Sequence, residues 1–228
     1  MILYHDLTQC SFLCRVNRFI AKCSLDDEEI TVHVKNTGRL KELLLPGARC
    51  WLEKSANPAR KTAYDLVAVE KDGRIINIDS QAPNLIAREW VENGGWGDVS
   101  NIRSEYTWED SRFDLSYLHD GIRGLIEVKG VTLFDDRGMA IFPDAPTSRG
   151  AKHLHGLIRA AQCGMEAGLI FVIMNEDAVG FMPNDRTDPT FSAALREAAA
   201  AGVRIEADVC RVTAEAATIV RTIPVHLS

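Results

Sequence analysis

The sequence predicts a two-domain α+β protein, with a small closed β-barrel at residues 1–80 and an α/β domain with a mixed sheet at residues 81–228. Three observations support this prediction. The first part has short β-type runs between turn residues, the second alternates helical and strand patterns, and 228 residues suffice for two domains. The composition, 46% hydrophobic and 25% charged, is that of an ordinary globular protein.

The first domain is predicted to be a barrel because its β-type runs are short and regularly interrupted. The interruptions are the turn-forming stretches DDEE, PG, NPARK and DG. One short helix, GRLKELL, is predicted among the strands. The predicted strands are SFLCRVNRFIAKC, EITVHV, GARCWLEK, TAYDLVAVE and RIINID. Five strands with one short helix fit an OB-like β-barrel, which removes the free edges of a small sheet by closing it.

The second domain is predicted to be α/β because a strand, an amphipathic helix and a buried strand follow one another. The helix SRGAKHLHGLIRAAQCGMEAG has apolar residues at helical spacing, and LIFVIM follows it as a continuous apolar strand. This order indicates a parallel crossover. Further helices are expected at NLIAREWVEN and TFSAALREAAAAG, and further strands at SEYTWED, RFDLSYL, GLIEVKGVTLF, VRIEADVCRVT and ATIVRTIPVHL.

The apolar runs and the cysteines indicate where in the cell the protein is expected to be found. No apolar run approaches the roughly 20 residues of a spanning helix, and the first residues lack the features of a signal peptide. The six cysteines form no CxxC pair, so we expect reduced thiols and no structural zinc. The sequence therefore predicts a cytoplasmic protein without a membrane segment.

The net charge of −6 is unevenly distributed. Residues 1–80 have 12 Lys and Arg against 11 Asp and Glu, whereas residues 81–228 have 14 against 21. An acidic second domain is what a cluster of metal-binding carboxylates would produce, and a nearly neutral first domain can still contain a local basic surface.

The segment LIEVKGV places Glu127 and Lys129 two residues apart, on one face of an otherwise apolar strand. The preceding Asp120-Gly121 dipeptide predicts a two-residue hairpin turn, which sets Asp114 directly across from Glu127. Two carboxylates so placed repel each other unless a cation lies between them. Carboxylates and water are the usual ligands of Mg²⁺, so the sequence predicts a site for Mg²⁺ or Mn²⁺.

Lys129 would then lie beside the metal, where it could position a hydrolytic water or stabilise charge on a phosphate. The alternative is that Glu127 and Lys129 form an exposed ion pair. Glu105, on the strand before that of Asp114, and Glu89, in the first helix, compete as a third metal ligand, and Glu105 is preferred because it lies next to the hairpin, within RSE.

The segment RVNRFIAKC is the predicted nucleic-acid-binding strand of the barrel. Arg15, Arg18 and Lys22 would contact phosphates, while Phe19 either stacks on a base or packs in the barrel core.

Two predicted helix starts are further candidates for phosphate binding. Arg149, Lys152 and His153 open the helix after the acidic strand, near the expected metal site. Asn36 or Thr37 could either cap the helix GRLKELL or help to present backbone N–H groups to a phosphate, and capping is preferred.

The arrangement of an acid, about a dozen residues and acid-x-Lys resembles the PD-(D/E)xK nuclease superfamily, which implies hydrolysis of phosphodiesters with Mg²⁺. Phe113 stands before the first acid, where many members have proline.

The flanking segments are similar to the sugar fermentation stimulation protein A (SfsA) family across nearly the whole chain. The segments that carry this resemblance are KNTGRLKELLLPG, RSEYTWEDSRFDL, LIEVKGVTL, FPDAPTSRGAKHL and AAAAGVRI. The resemblance implies an OB-like domain, a restriction-endonuclease-like α/β domain and binding of DNA. Lys35 replaces the family's usual proline, a change expected to affect loop geometry alone.

Three functions remain open on the sequence. The first is a DNA-binding protein with a nuclease-like metal site, and the second is a non-catalytic DNA-binding regulator of sugar metabolism genes. The third, a small-molecule phosphoesterase, would leave the basic strand of the barrel without a purpose.

Overall fold

The computed structural model describes residues 1–36 and 38–228. Its first 80 residues form a six-stranded sheet with the order β3-β2-β1-β4-β5-β6. The strands are β1 (Thr8–Arg15), β2 (Ile20–Leu25), β3 (Glu28–Val34), β4 (Arg49–Lys54), β5 (Tyr64–Lys71) and β6 (Arg74–Asn77).

The first five of these strands close into a barrel, which confirms the predicted OB-like domain. Closure comes from a short parallel pairing of β3 with β5, where His33 lies beside Asp65. β6 extends the sheet as an antiparallel partner of β5. Phe12, Leu52 and Leu66 are buried in the barrel interior, and the closed sheet leaves few unpaired strand edges.

The prediction of a single strand over SFLCRVNRFIAKC was wrong, because a turn divides it into β1 and β2. The Oδ1 atom of Asn17 accepts hydrogen bonds from the backbone N–H groups of Phe19, at 2.8 Å, and Ile20, at 3.0 Å. Asparagine favours turns for this reason, since its side chain satisfies backbone donors that a strand would otherwise pair.

The helix predicted at GRLKELL was also wrong. The backbone makes a turn at residues 41–43, and Leu40 has a positive φ of 49° that is incompatible with a helix start. Leu40, Leu43 and Leu44 are buried, so the segment contributes to the core. Of the two proposed caps, Thr37 lies outside the described residues, and Asn36 has no helix to cap.

The second domain contains a mixed six-stranded sheet with the order β15-β14-β12-β9-β8-β7, as predicted. The central strands β9, β12 and β14 are parallel, and the outer pairings are antiparallel. The helices are α1 (Ala82–Glu92), α2 (Ser148–Gln162) and α3 (Pro189–Ala200). The strands are β7 (Ser100–Trp108), β8 (Ser111–His119), β9 (Ile122–Val131), β10 (Leu133–Phe134), β11 (Met139–Phe142), β12 (Glu166–Ile173), β13 (Gly180–Pro183), β14 (Arg204–Val212) and β15 (Ala217–Thr222).

The helices cover the two faces of this sheet. α1 packs with Val128 and Ile170 in a core that continues into the barrel, while α2 and α3 pack with Leu125 and Phe171 on the other face. Each face of the parallel strands is therefore buried, as the apolar run LIFVIM predicted. In the described part of the chain, no helix is long and apolar enough to cross a membrane.

The predicted strand GLIEVKGVTLF is longer than the structure allows. β9 ends at Val131, and β10 joins a separate three-stranded sheet with β11 and β13. This small sheet leads the chain from the end of β9 to the start of α2, so the crossover to β12 passes over the end of the main sheet.

Asp208 of β14 is buried, and this burial raises the pKa of its carboxyl to about 6 from an ordinary value of 3.8. Because the folded state holds this proton more tightly than the unfolded chain, the carboxyl's contribution to stability falls as the pH rises from about 4 through 6. We expect Asp208→Asn to increase the free energy of unfolding at pH 7.5 by about 1–3 kcal/mol and to have little effect near pH 4.

Urea denaturation of the wild type and this variant at several pH values checks the prediction. The exposed Asp136→Asn is the matched control, because it removes one charge without changing a buried group. A difference in unfolding free energy that does not depend on pH would contradict the assignment to Asp208.

Candidate functional site

The β8–β9 hairpin places Asp114 opposite Glu127, as the sequence predicted. The turn is formed by Asp120 and Gly121, both with positive φ, and the register pairs Leu115 with Ile126. The register continues by one residue to Asp114 and Glu127, so the two carboxylates come from adjacent strands in the interior of the sheet.

Glu127 is the most buried acid of the site, with 2% of its surface exposed. Its Oε1 atom accepts hydrogen bonds from Lys129 Nζ and His153 Nδ1. Burial raises the pKa of Glu127, but the positive charge of Lys129 and the hydrogen bonds from His153 and Lys129 outweigh it, so the pKa lies below its usual value. Glu127 is therefore a carboxylate held ionised in a buried place, and the predicted alternative of an exposed ion pair does not apply.

Asp114 is fixed by two hydrogen bonds. Asn84 Nδ2 donates to Oδ1 at 2.8 Å, and the backbone N–H of Val128 donates to Oδ2 at 2.7 Å. Burial and the nearby charge of Glu127 raise the pKa of Asp114. The two acids thus repel each other, and a cation bound between them would relieve this repulsion.

The two carboxylates fit a hard divalent cation. The Oε2 atom of Glu127 is buried and has no hydrogen-bond partner among the described residues, although an unpaired buried carboxylate oxygen is costly. Residues 1–36 and 38–228 contain no group of three or more His, Cys, Asp and Glu placed to hold a metal. A cation here would have two carboxylate ligands and complete its shell with water, as Mg²⁺ commonly does.

The carboxylates lie in a cavity of about 500 Å³ that both domains line. The barrel contributes Arg18, Asn36, Gly38 and Leu40, and the second domain contributes the start of α1, the end of β9 and the loop before α2. The charged or titratable side chains that line the cavity are Arg18, Asp79, Asp114, Glu127, Lys129, Asp144, Arg149 and His153.

Neither candidate for a third ligand reaches this cavity. The side chain of Glu105 is 68% exposed and lies 3.7 Å from Arg112. Glu105 also has a positive φ of 56°, a backbone conformation that is uncommon for a residue other than glycine. Glu89 lies on α1 and accepts a hydrogen bond from the amino group of Met1 at 3.0 Å.

Two of the three basic residues predicted at the start of α2 do line the cavity. Arg149 Nε donates to His153 Nε2 at 3.4 Å, which leaves the proton of a neutral imidazole on Nδ1, facing Glu127. Lys152 points elsewhere and pairs with Asp110 at 3.1 Å. His153 is therefore hydrogen-bonded to Glu127 and is not directed at a phosphate.

On the barrel, Arg18 is exposed and lines the cavity, as expected for a phosphate-binding residue. Lys22 is directed away and pairs with Glu29 on β3. Phe19 is 50% exposed, so it is not part of the barrel core, and base stacking remains a prediction.

Arg15 has a different role from the one that its charge suggested. Its guanidinium donates to the carbonyl oxygens of five residues in two loops, at distances of 2.7–3.3 Å. The five residues are Asn17, Arg18, Asn36, Gly38 and Arg39. All five N–H donors are used, so Arg15 joins the β1–β2 turn to the loop after β3 and is not available to a phosphate.

We expect Arg15→Ala to lower the free energy of unfolding by about 2–4 kcal/mol, because it leaves backbone carbonyls without their charged donor. Arg18→Ala is the matched control, since it removes an exposed arginine of the same turn and should change stability by less than about 0.5 kcal/mol. Urea denaturation measures both effects. Equal stability of the two variants would show that the five hydrogen bonds contribute nothing.

Sequence reasoning missed Asn84, Asp79 and Asp144. Asn84 is the α1 residue that donates a hydrogen bond to Asp114. Its position near the start of the helix is the sequence feature that could have indicated this role. Asp79 lies between the domains and pairs with Lys35 at 2.7 Å, so Lys35 does more than alter loop geometry. Asp144 accepts a hydrogen bond from the backbone N–H of Arg39 at 3.0 Å and thereby connects the two domains.

The fold and the site define a class of protein in which an OB barrel is joined to an α/β domain with paired carboxylates on adjacent strands. Family models divide the chain in the same way. Residues 13–78 match the SfsA N-terminal OB domain, and residues 81–216 match the sugar fermentation stimulation protein RE domain. The chain belongs to the sugar fermentation stimulation protein A family.

Bacterial relatives match the chain over nearly its whole length. A sugar fermentation stimulation protein homolog of Desulfitobacterium hafniense is 47% identical over 92% of both chains. Homologs of the same name from Acetivibrio thermocellus and Clostridium tetani are 46% and 43% identical, covering 96% and 100% of this chain and 97% and 100% of theirs. The structure of Pyrococcus furiosus SfsA in complex with Ca²⁺ is 27% identical, with a TM-score of 0.89 over 99% of this chain and 98% of that one.

Proposed function

We propose that this protein binds DNA and hydrolyses its phosphodiester bonds with Mg²⁺ or Mn²⁺ held by Asp114 and Glu127. The observation that carries the proposal is the buried Glu127 carboxylate, whose Oε2 atom has no partner within the described residues and lies in a cavity shared with Asp114. A buried, ionised acid of this kind is stable when a cation completes its environment.

Each residue of the site has a role in this proposal. A bound divalent cation would supply an activated water and stabilise negative charge on the phosphate. Lys129, whose ammonium contacts Glu127, steadies the attacking water or the charge that develops on the phosphate. His153 orients Glu127, and Arg149 and Arg18 neutralise phosphates at the cavity.

Two findings on relatives support a divalent cation and a nuclease-like domain. The solved relative from Pyrococcus furiosus is described as a complex with Ca²⁺, a hard cation that prefers oxygen ligands. The model that matches residues 81–216 is described as an RE domain. We carry both properties to this chain as part of the proposal.

The test is incubation of the purified protein with plasmid and with single- and double-stranded oligonucleotides, in Mg²⁺, Mn²⁺ or EDTA. We expect at least one of these substrates to be cleaved in either metal and none in EDTA. Binding without cleavage in any metal would overturn the catalytic reading and favour a DNA-binding regulator of sugar metabolism genes that retains the fold.

We also propose that the protein acts in the cytoplasm. All six cysteines are free thiols, which is usual in a reducing compartment, and a DNA substrate is found there in bacteria.

A further inference from the structure

The cavity around Glu127 is bounded by loops from both domains that are hydrogen-bonded to each other. Asn36 Nδ2 donates to the carbonyl oxygen of Ile78 at 2.8 Å, and the backbone N–H of Arg39 donates to Asp144 Oδ2 at 3.0 Å. Gly38 lies so near Asp144 that an added Cβ would be 2.6 Å from its Oδ2 atom. Asn36 and Arg39 therefore join the segment before α1 to the loop before α2.

The size of this cavity limits what can reach the carboxylates. Its volume of about 500 Å³ lies within the range of small-ligand pockets, which is enough for one or two nucleotides. Glu127 is only 2% exposed, so a phosphodiester must enter the cavity to meet it. The phosphates of a double helix lie on a stiff rod with a second strand alongside, whereas a single strand is flexible enough to bring one phosphodiester into a cavity of this size.

A basic groove leads to the cavity from the barrel side. This groove has a volume of about 470 Å³ and shares Arg18, Gly38, Leu40, Ala145 and Pro146 with the cavity. It is also lined by Arg39 and Lys41, which are exposed with Arg18. In the described part of the chain, none of these three cations forms an ion pair with a carboxylate.

We propose that the site takes single-stranded DNA, whose backbone lies along the groove of Arg18, Arg39 and Lys41 while one nucleotide enters the cavity. This inference rests on the proposed function for cleavage of the strand, whereas the expected preference for binding single strands does not depend on it. A flexible single strand can bend into this cavity more readily than a stiff duplex can, and a positively charged groove that follows the backbone is typical of proteins that bind single strands. The groove also disfavours a small phosphoester as substrate, because such a molecule would leave its cations unused.

Binding can be tested without cleavage by fluorescence anisotropy in EDTA, with a labelled oligonucleotide as a single strand and as a blunt duplex. We expect the single strand to bind at least about tenfold more tightly. The variant Arg39→Ala/Lys41→Ala should weaken single-strand binding and reduce the slope of log K against log salt by about 1.4, at roughly 0.7 per lost phosphate contact. It keeps the backbone N–H of residue 39 that donates to Asp144.

The matched control is Lys22→Ala/Lys152→Ala, which removes two lysines that lie outside the groove and should leave the slope unchanged. A duplex bound as tightly as the single strand, or an unchanged slope in Arg39→Ala/Lys41→Ala, would overturn the inference. In Mg²⁺ or Mn²⁺, we expect cleavage of single strands and of overhangs but not of duplex interiors. If no DNA is cleaved while the preference for single strands persists, the proposed hydrolysis fails and the inference about the substrate stands.

Discussion

Replacing Asp114 by Asn and Glu127 by Gln together should weaken binding of Mn²⁺ or Mg²⁺ by roughly 100-fold or more, because the loss of residues that merely support metal ligands already costs 10–100-fold. Both substitutions keep the size of the side chain and remove its charge. Isothermal titration calorimetry measures the affinity directly, and it does so whether or not the protein cleaves DNA.

The control for this experiment is Glu105→Gln. The structure places Glu105 on the exposed edge of β7, beside Arg112, so its loss should leave the metal affinity unchanged. Retained metal binding in the Asp114→Asn/Glu127→Gln protein would disprove the proposed centre. A loss of metal binding in Glu105→Gln would instead show that the edge of β7 rearranges to bring this carboxylate inward.

Lys129→Met should lower the rate of cleavage by at least about 100-fold, the scale observed when one preorganised charge stabiliser is removed. Methionine preserves the packing of the lysine stem and removes only the ammonium. Because Lys129 contacts Glu127, its positive charge opposes a cation at the same carboxylate, so metal affinity should be unchanged or slightly higher in the variant.

Measuring metal binding, DNA binding and cleavage on the same preparations separates the possible roles of Lys129. A residue that acts only in the transition state affects the rate and hardly affects binding. Lys152→Met is the matched control, since Lys152 pairs with Asp110 away from the cavity. Cleavage by Lys129→Met at the wild-type rate would remove Lys129 from the mechanism.

The parts of the site that the sequence predicted correctly are those determined by short-range geometry. Asp120 and Gly121 define a turn, the turn defines a register, and the register brings Asp114 opposite Glu127. The position of His153 near Glu127 follows from the crossover that α2 makes between β9 and β12. Each of these steps depends on residues that are close in the chain or on a rule for connecting strands that has few exceptions.

The parts that the sequence did not predict depend on contacts between distant segments. Arg15 has the composition of a phosphate-binding residue, and only the folded chain shows that carbonyl oxygens of two loops occupy its donors. Glu105 was expected at the metal site because it lies next to the hairpin, but the folded chain leaves its side chain exposed beside Arg112. Lys35 pairs with Asp79, which is distant in the chain, and Asp144 gains its role because the two domains meet at the cavity.

The contacts of Arg15 also bear on how the loops around the site can change over generations. Its guanidinium binds main-chain oxygens, which every amino acid possesses, so these five hydrogen bonds do not depend on the identities of the accepting residues. Exposed positions such as Arg18, Arg39 and Lys41 can therefore be replaced without collapse of the loops. The hydrogen bonds of Arg15 that keep the loops in shape are thus separate from the side chains that the loops present to a ligand. Those side chains remain open to diversification or redesign.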